Sequence, residues 1–116
     1  TWIAARTGCP AVLLNPAVDP ARDLARHVGQ HALWHEPTQV FEFEPAFVGE
    51  LRALQPHAIT EPQRYYAIVA KGDEVLDWRE MTGRYPGARI KLLEGGDHAL
   101  SDFESHIDEA FSFLGL

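Results

Sequence analysis

The chain has 116 residues, of which 46% are hydrophobic and 23% charged, and this composition fits one small packed domain and argues against disorder. The formal net charge is −7 and the ten basic residues are scattered, which excludes the clustered Lys and Arg that nucleic-acid binding needs. No apolar stretch approaches the ~20 residues of a membrane span, and no signal peptide is visible. The single cysteine, Cys9, allows no intrachain disulfide and fits a reducing compartment.

The first residues already have a helical pattern. It begins at Trp2, and Gly8 is expected to close it as a C-cap. The chain opens with Thr1 and not with Met, and proteins rarely begin inside a helix without a cap. We therefore interpret residues 1–116 as a fragment of a longer protein.

A short strand and a helix are predicted next. Ala11–Leu14 is a continuous apolar run that stops at Asn15, which is typical of a strand buried on both faces of a parallel sheet. Asp19 then provides an N-cap with a proline after it, and the helix is expected to end near Gly29.

The following segment is harder to assign. Residues 30–44 fit either a short strand or an excursion over the site, and Pro45 begins a helix that Pro56 ends. We expect approximately residues 31–56 to form a cap-like excursion within the single domain.

The second half of the chain alternates strands and helices. The predicted elements are a strand at Arg64–Ala70, a helix at Trp78–Arg84, a strand at Arg89–Leu93, and a last helix that begins at a capping box of Ser101 and Glu104. Strands alternating with helices imply an α/β fold, with a parallel sheet flanked by helices.

Two consecutive strands end in loops with titratable residues. Asp73 follows the first strand and His98 follows the second, and sites in parallel sheets lie at the carboxyl ends of the strands. Neighbouring strands about 5 Å apart would let Asp73 accept a hydrogen bond from the His98 ring. The acid precedes the histidine, as in the α/β-hydrolase order of nucleophile, acid and histidine. The simpler alternatives, a turn residue for Asp73 and a solvated loop residue for His98, stay open.

Three neighbouring acids have other expected roles. Asp77 is better interpreted as a helix N-cap, Asp97 as a residue that shapes its loop, and Glu74 as an exposed side chain.

A serine nucleophile is missing from the chain. There is no G-x-S-x-G sequence; Ser101 is assigned to a helix cap, and Ser105 and Ser112 lie within the last helix. Cys9 precedes the first strand and is expected to be a buried structural thiol.

The remaining histidines offer one rival site. Three of them are spaced four apart: His27, His31 and His35. On an unbroken helix they could bind Zn²⁺, but Gly29 and Pro37 indicate that the helix is interrupted, so no metal is expected. His57 and His106 are expected at the surface.

Four segments of the chain resemble the YqiA-like esterase family of small α/β hydrolases. They are Ala11–Val18 (AVLLNPAV), Gly72–Arg79 (GDEVLDWR), Leu93–Ala99 (LEGGDHA) and Phe113–Leu116 (FLGL). The resemblance implies a cytoplasmic serine esterase without a cofactor, in which Asp73 is the triad acid and His98 the general base. It also implies that the chain is the C-terminal part of an α/β-hydrolase fold, without the N-terminal strands and the nucleophile elbow, and inactive by itself.

The resemblance also implies a small acyl ester as the substrate. Asn15 would line the pocket at the same sheet edge, and Trp34 and Phe41 would give the excursion an apolar lining, with core packing as the alternative for the aromatics. No nucleic acid or membrane is expected as a partner, and the open edge of Ala11–Leu14 predicts self-association.

A non-catalytic flavodoxin-like binding or interaction module is the competing class. The distance between the Asp73 carboxylate and the His98 ring discriminates the two, because a triad needs hydrogen-bond reach of roughly 2.6–3.2 Å.

Overall fold

The computed structural model describes residues 1–33, 35–56 and 58–116. These residues form two compact units, one of Thr1–Val18 with Pro56–Leu116 and the other of Asp19–Gln55. In chain order the helices and strands are α1 (Trp2–Thr7), β1 (Ala11–Leu14), α2 (Pro20–Ala25), β2 (Gly29–Leu33), β3 (Glu36–Phe43), α3 (Pro45–Ala53), β4 (Tyr65–Ala70), α4 (Trp78–Arg84), β5 (Arg89–Leu93) and α5 (Ile107–Leu114). None of the described helices has both the length and the apolar character needed to cross a membrane.

A parallel sheet forms the centre of the larger unit, as predicted. Its strand order is β1-β4-β5, with Leu14 opposite Ile68 and Ala70 opposite Leu93. All six residues of β4 are buried, because this strand has a neighbour on each side and helices over both faces.

The two faces of β4 pack against different helices, since successive side chains of a strand point to opposite sides. On one face Tyr66, Ile68 and Ala70 form a cluster with Leu100, against which Phe103 and Phe113 pack. On the other face Ala67 and Val69 form a cluster with Met81 of α4, and Trp78 packs against it. The helices thus flank the sheet on both sides.

The last helix begins later than predicted. Phe103–His106 is a 3₁₀ turn and α5 starts at Ile107, so the capping box of Ser101 and Glu104 does not form. The Ser101 amide instead donates to the Asp97 carboxylate at 3.0 Å, because the loop turns back on itself there. That contact confirms that Asp97 shapes its loop.

The first strand is less buried than predicted. Three residues of β1 are half-buried and Leu14 is 42% exposed, because within the described part of the chain β1 pairs only with β4. Cys9 is exposed, so the prediction of a buried structural thiol was wrong. Self-association through the open edge stays a prediction.

The smaller unit contains an antiparallel hairpin between two helices. The Asp19 carboxylate caps α2 by accepting from the Arg22 amide at 3.0 Å, as predicted. The helix ends at Ala25, however, and Gly29 begins β2 with a φ of 127° instead of capping a helix. Strands β2 and β3 pair antiparallel, and α3 follows at Pro45 and packs against α2. The segment that fitted either a strand or an excursion thus contributes to the two strands of a hairpin. The role of this hairpin as a cap stays a prediction.

Candidate active site

The loops after β4 and β5 lie side by side because the strand pairing continues beyond the strands. The Lys71 amide donates to the Leu93 carbonyl at 3.0 Å, and the Gly72 amide donates to the Gly95 carbonyl at 3.2 Å. The residue after Gly72 is Asp73, so the acid is carried directly to the edge at which the histidine loop leaves β5.

Two glycines allow this close approach. A Cβ atom on Gly72 would collide with the carbonyl oxygen of Gly96 and lie 3.1 Å from the Gly95 carbonyl carbon. Gly96 has a φ of 85°, which L side chains rarely adopt. The two loops therefore require glycine at both positions, the first for space and the second for its backbone conformation.

Asp73 and His98 are joined by a hydrogen bond. The distance from His98 Nδ1 to Asp73 Oδ2 is 2.8 Å. The other carboxylate oxygen, Oδ1, accepts from the amides of Val75 and Leu76, each at 2.8 Å. The Asp73 side chain is 0% exposed, whereas the His98 side chain is 40% exposed. Three N–H groups thus hold the Asp73 carboxylate, while the partly exposed His98 ring remains accessible to a reacting group.

The ionisation of Asp73 follows from these contacts. Burial raises the pKa of Asp73, but the hydrogen bonds from His98, Leu76 and Val75 together outweigh it and hold the pKa below its usual value. An ionised carboxylate accepts a hydrogen bond from Nδ1–H, which leaves Nε2 as the nitrogen of the neutral ring that can take a proton. Among the described residues, none hydrogen-bonds to Nε2 of His98.

The backbone of the histidine loop is held by two further side chains. The His98 amide donates to Glu74 Oε2 at 3.0 Å. The side-chain amide of Asn15 donates to the carbonyls of Asp97 and His98 at 2.9 and 3.1 Å. Leu100, two residues further on, is 2% exposed and anchors the end of the loop in the core. His98 is therefore fixed at its ring and at its backbone.

The lowered pKa of Asp73 predicts how an Asp73→Asn substitution changes stability with pH. A carboxylate whose pKa is lower in the folded state stabilises the fold above the unfolded pKa of about 3.9. That stabilisation is lost as the pH falls through the folded value. We expect D73N to lose more unfolding free energy at about pH 7 than at about pH 3, where Asp73 of the unsubstituted chain is closer to protonation. Urea unfolding at both pH values measures it, and an equal loss at both would contradict it.

The predicted site residues have different outcomes in the structure. Asp73 and His98 meet, and Asn15 lies at the same edge, where its amide is bound to backbone groups. Phe41 lies in the smaller unit and lines a cavity of about 300 Å³, together with Leu24, His27, His31 and Phe43. Trp34 lies outside the described residues. The substrate contacts of Asn15, Trp34 and Phe41 stay predictions.

The rival metal site lacks the helix on which it depends. His31 lies on β2, and its ring centroid is 6.0 Å from that of His27. Within residues 1–33, 35–56 and 58–116, no group of three His, Cys, Asp or Glu side chains is arranged to hold a metal ion.

His106 is buried, with 8% exposure, so its predicted surface position was wrong. It belongs to the 3₁₀ turn, and its Nε2 lies 3.4 Å from Asp102 Oδ2. His57 falls outside the described residues.

A solved structure shares the fold of this chain. It is that of a "putative hydrolase" from Agrobacterium vitis S4, and the two match with a TM-score of 0.65 at 17% sequence identity. The match covers 91% of this chain and 49% of the other, so this chain spans about half the length of that protein. This likeness confirms the predicted fold class, a parallel sheet flanked by helices as in α/β hydrolases.

The sequence also matches a family along almost its whole length. The matching family is described as uncharacterised protein family UPF0227, and the match extends over residues 1–115. It confirms the family resemblance carried by the loops around Asp73 and His98. The chain belongs to the uncharacterised protein family UPF0227.

Proposed function

We propose that this chain supplies the acid and the histidine of a Ser-His-Asp triad that hydrolyses carboxylic esters. The observation that carries the proposal is the 2.8 Å hydrogen bond between Asp73 and His98 at the carboxyl edge of a parallel sheet. The serine would come from a part of the protein outside these 116 residues, which contain no G-x-S-x-G sequence.

The proposed reaction passes through an acyl-enzyme. The serine hydroxyl attacks the ester carbonyl while Nε2 of His98 takes its proton, and the same nitrogen returns the proton to the departing alcohol. A water molecule then attacks the acyl-enzyme while Nε2 takes its proton; the bond from the acyl carbon to the serine oxygen breaks, the proton returns to that oxygen, and the carboxylic acid leaves. Asp73 keeps the ring in the Nδ1–H form and stabilises the imidazolium. These steps need neither a metal nor an organic cofactor.

The proposed substrate is a small acyl ester. Phe41 lines a largely apolar cavity of about 300 Å³ within the smaller unit, and its contact with the acyl group is part of the proposal. Trp34 lies outside the described residues, and its contact with the substrate stays a prediction from the sequence.

The comparisons support hydrolysis as the reaction class. The chain belongs to a family that it resembles through its two site loops, and the protein from Agrobacterium vitis S4 with the same fold is described as a hydrolase. A flavodoxin-like module would not require the acid and the ring to be hydrogen-bonded. The observed 2.8 Å between Asp73 and His98 lies within the hydrogen-bond reach of roughly 2.6–3.2 Å that a triad needs, which favours the enzyme.

Labelling with a fluorophosphonate tests the proposal. The reagent is applied to this polypeptide and to a longer polypeptide that includes the preceding part of the protein, and intact mass is measured. We expect the longer form to gain one adduct and the 116-residue chain to gain none, because its three serines are not part of an activated site.

Two variants of the longer form sharpen this test. His98→Ala is expected to abolish labelling, and His35→Ala, which changes an exposed histidine of the smaller unit outside the cavity lining, is expected to keep it. Labelling of the short chain, or unchanged labelling of H98A, would refute the triad.

A further inference from the structure

We infer that Asn15 is a positioning residue for His98, a role that rests on the proposed function. Its side chain hydrogen-bonds both to the strand that leads to the acid and to the loop that carries the base. Asn15 follows β1, 82 and 83 residues before the two carbonyl groups to which it donates.

Both the oxygen and the nitrogen of the Asn15 side-chain amide form hydrogen bonds. Its oxygen, Oδ1, accepts from the amide of Ala70, the last residue of β4, at 2.8 Å. Its nitrogen, Nδ2, donates to the carbonyls of Asp97 and His98 at 2.9 and 3.1 Å, which occupies both of its hydrogens. One planar group therefore sets the distance between the end of β4 and the histidine loop.

The contacts close a ring that includes the acid–base pair. Ala70, bound through its amide to Asn15, accepts through its carbonyl from the Asp73 amide at 3.2 Å. Asp73 in turn binds the His98 ring, and His98 returns to Asn15 through its carbonyl. A shift of the Asn15 amide would therefore change the geometry of the Asp73–His98 hydrogen bond.

The backbone at Asn15 favours this residue type. Its φ is 40°, a left-handed conformation that Asn and Asp adopt more readily than other side chains. The backbone N–H of Asn15 continues the pairing of β1 with β4 by donating to the Ile68 carbonyl at 3.0 Å. The residue is 4% exposed. The side chain is thus held in place before any substrate is present.

Asn15→Asp is the sharpest variant. Aspartate keeps the size, the left-handed conformation and the acceptor for Ala70, but it removes both donors and places a charge beside two carbonyl oxygens. Asn15→Gly is the second variant, since glycine also tolerates the conformation and removes the whole amide without adding charge. Met81→Ala is the control, because it opens the core on the face of β4 that includes Ala67 and Val69.

The readout is the tautomer of the His98 ring, followed by ¹⁵N NMR on the 116-residue chain at neutral pH. We expect the Nδ1–H form to dominate in the unsubstituted chain and in M81A, and to fall at least twofold in N15D and N15G. M81A shows whether a general loss of stability moves this signal. An unchanged tautomer in both Asn15 variants would overturn the inference.

Activity of the longer polypeptide gives an independent measure. Misplacing a catalytic group costs roughly tenfold to a hundredfold in rate, so kcat of N15D and N15G should fall by that factor while KM stays within about twofold. A change in KM alone would overturn the positioning role and favour a direct substrate contact. If the unsubstituted longer form hydrolyses no ester, the proposed function fails, and the NMR result still decides whether Asn15 positions His98.

Discussion

Replacing Asp73 with Asn is expected to lower kcat/KM for ester hydrolysis by about four orders of magnitude in the polypeptide that carries the nucleophile. Oδ1 of Asp73 accepts from the amides of Val75 and Leu76, so the substituted side chain keeps its oxygen there. Its NH₂ group then replaces Oδ2 and donates to Nδ1 of His98. The ring proton moves to Nε2, where the base must be free, and the imidazolium loses its counter-charge.

Asp77→Asn is the matched control for this prediction. Asp77 lies four residues further along the same loop, is 51% exposed, and caps α4 by accepting from the Arg79 amide at 2.8 Å. Because Asn caps a helix about as well as Asp, we expect D77N to leave stability nearly unchanged and to keep kcat/KM within about twofold. Initial rates with a chromogenic short-chain ester measure both variants. A folded D73N that retained more than about a tenth of the activity would exclude Asp73 as the triad acid.

The meeting of Asp73 and His98 could be predicted because its signals are local. Asp73 lies three residues after β4 and His98 five residues after β5, and each strand is visible as a run of β-branched, aromatic or aliphatic residues. Parallel pairing then brings the two strand ends to one edge, whatever the rest of the chain does. The acid-before-histidine order required no knowledge of tertiary contacts.

The support around this pair could not be predicted, because it depends on contacts that only the folded chain creates. Glu74 was expected to be merely exposed; it is exposed, yet it also holds the His98 amide from 24 residues away. Asn15 was assigned to substrate, and its sequence neighbourhood gives no sign that its amide joins β4 to the histidine loop. A polar residue that ends an apolar strand run next to a proline was the one available signal, and it is not specific.

Capping patterns were ambiguous where two acids compete for one backbone amide. Ser101 and Glu104 have the spacing of a capping box, in which the Glu104 carboxylate would accept from the Ser101 amide. In the structure that amide donates to the Asp97 carboxylate instead. The chain then continues as a 3₁₀ turn, and α5 begins six residues after Ser101. Gly29 was misassigned because a glycine with a positive φ occurs at the start of a strand as well as at the end of a helix.

Gly72→Ala is expected to destabilise the fold by about 1–3 kcal/mol, the usual range for overpacking. The φ of Gly72 is not positive, so its backbone conformation is open to alanine, and the penalty is one of space. The added methyl group would meet the carbonyl oxygen of Gly96, which is backbone and cannot rotate away. The loop after β5 must therefore move, and the hydrogen bond from Gly72 to Gly95 weakens with it.

Gly83→Ala provides the opposite expectation in the same experiment. Gly83 lies in α4, and a Cβ there would have no atom within 4 Å, so alanine should stabilise the helix by roughly 0.5–1 kcal/mol. Urea unfolding at neutral pH compares both variants with the unsubstituted chain. If G72A were as stable as G83A, the loops after β4 and β5 could not be in van der Waals contact. The 2.8 Å approach of Asp73 to His98, which depends on that contact, would then lose its structural basis.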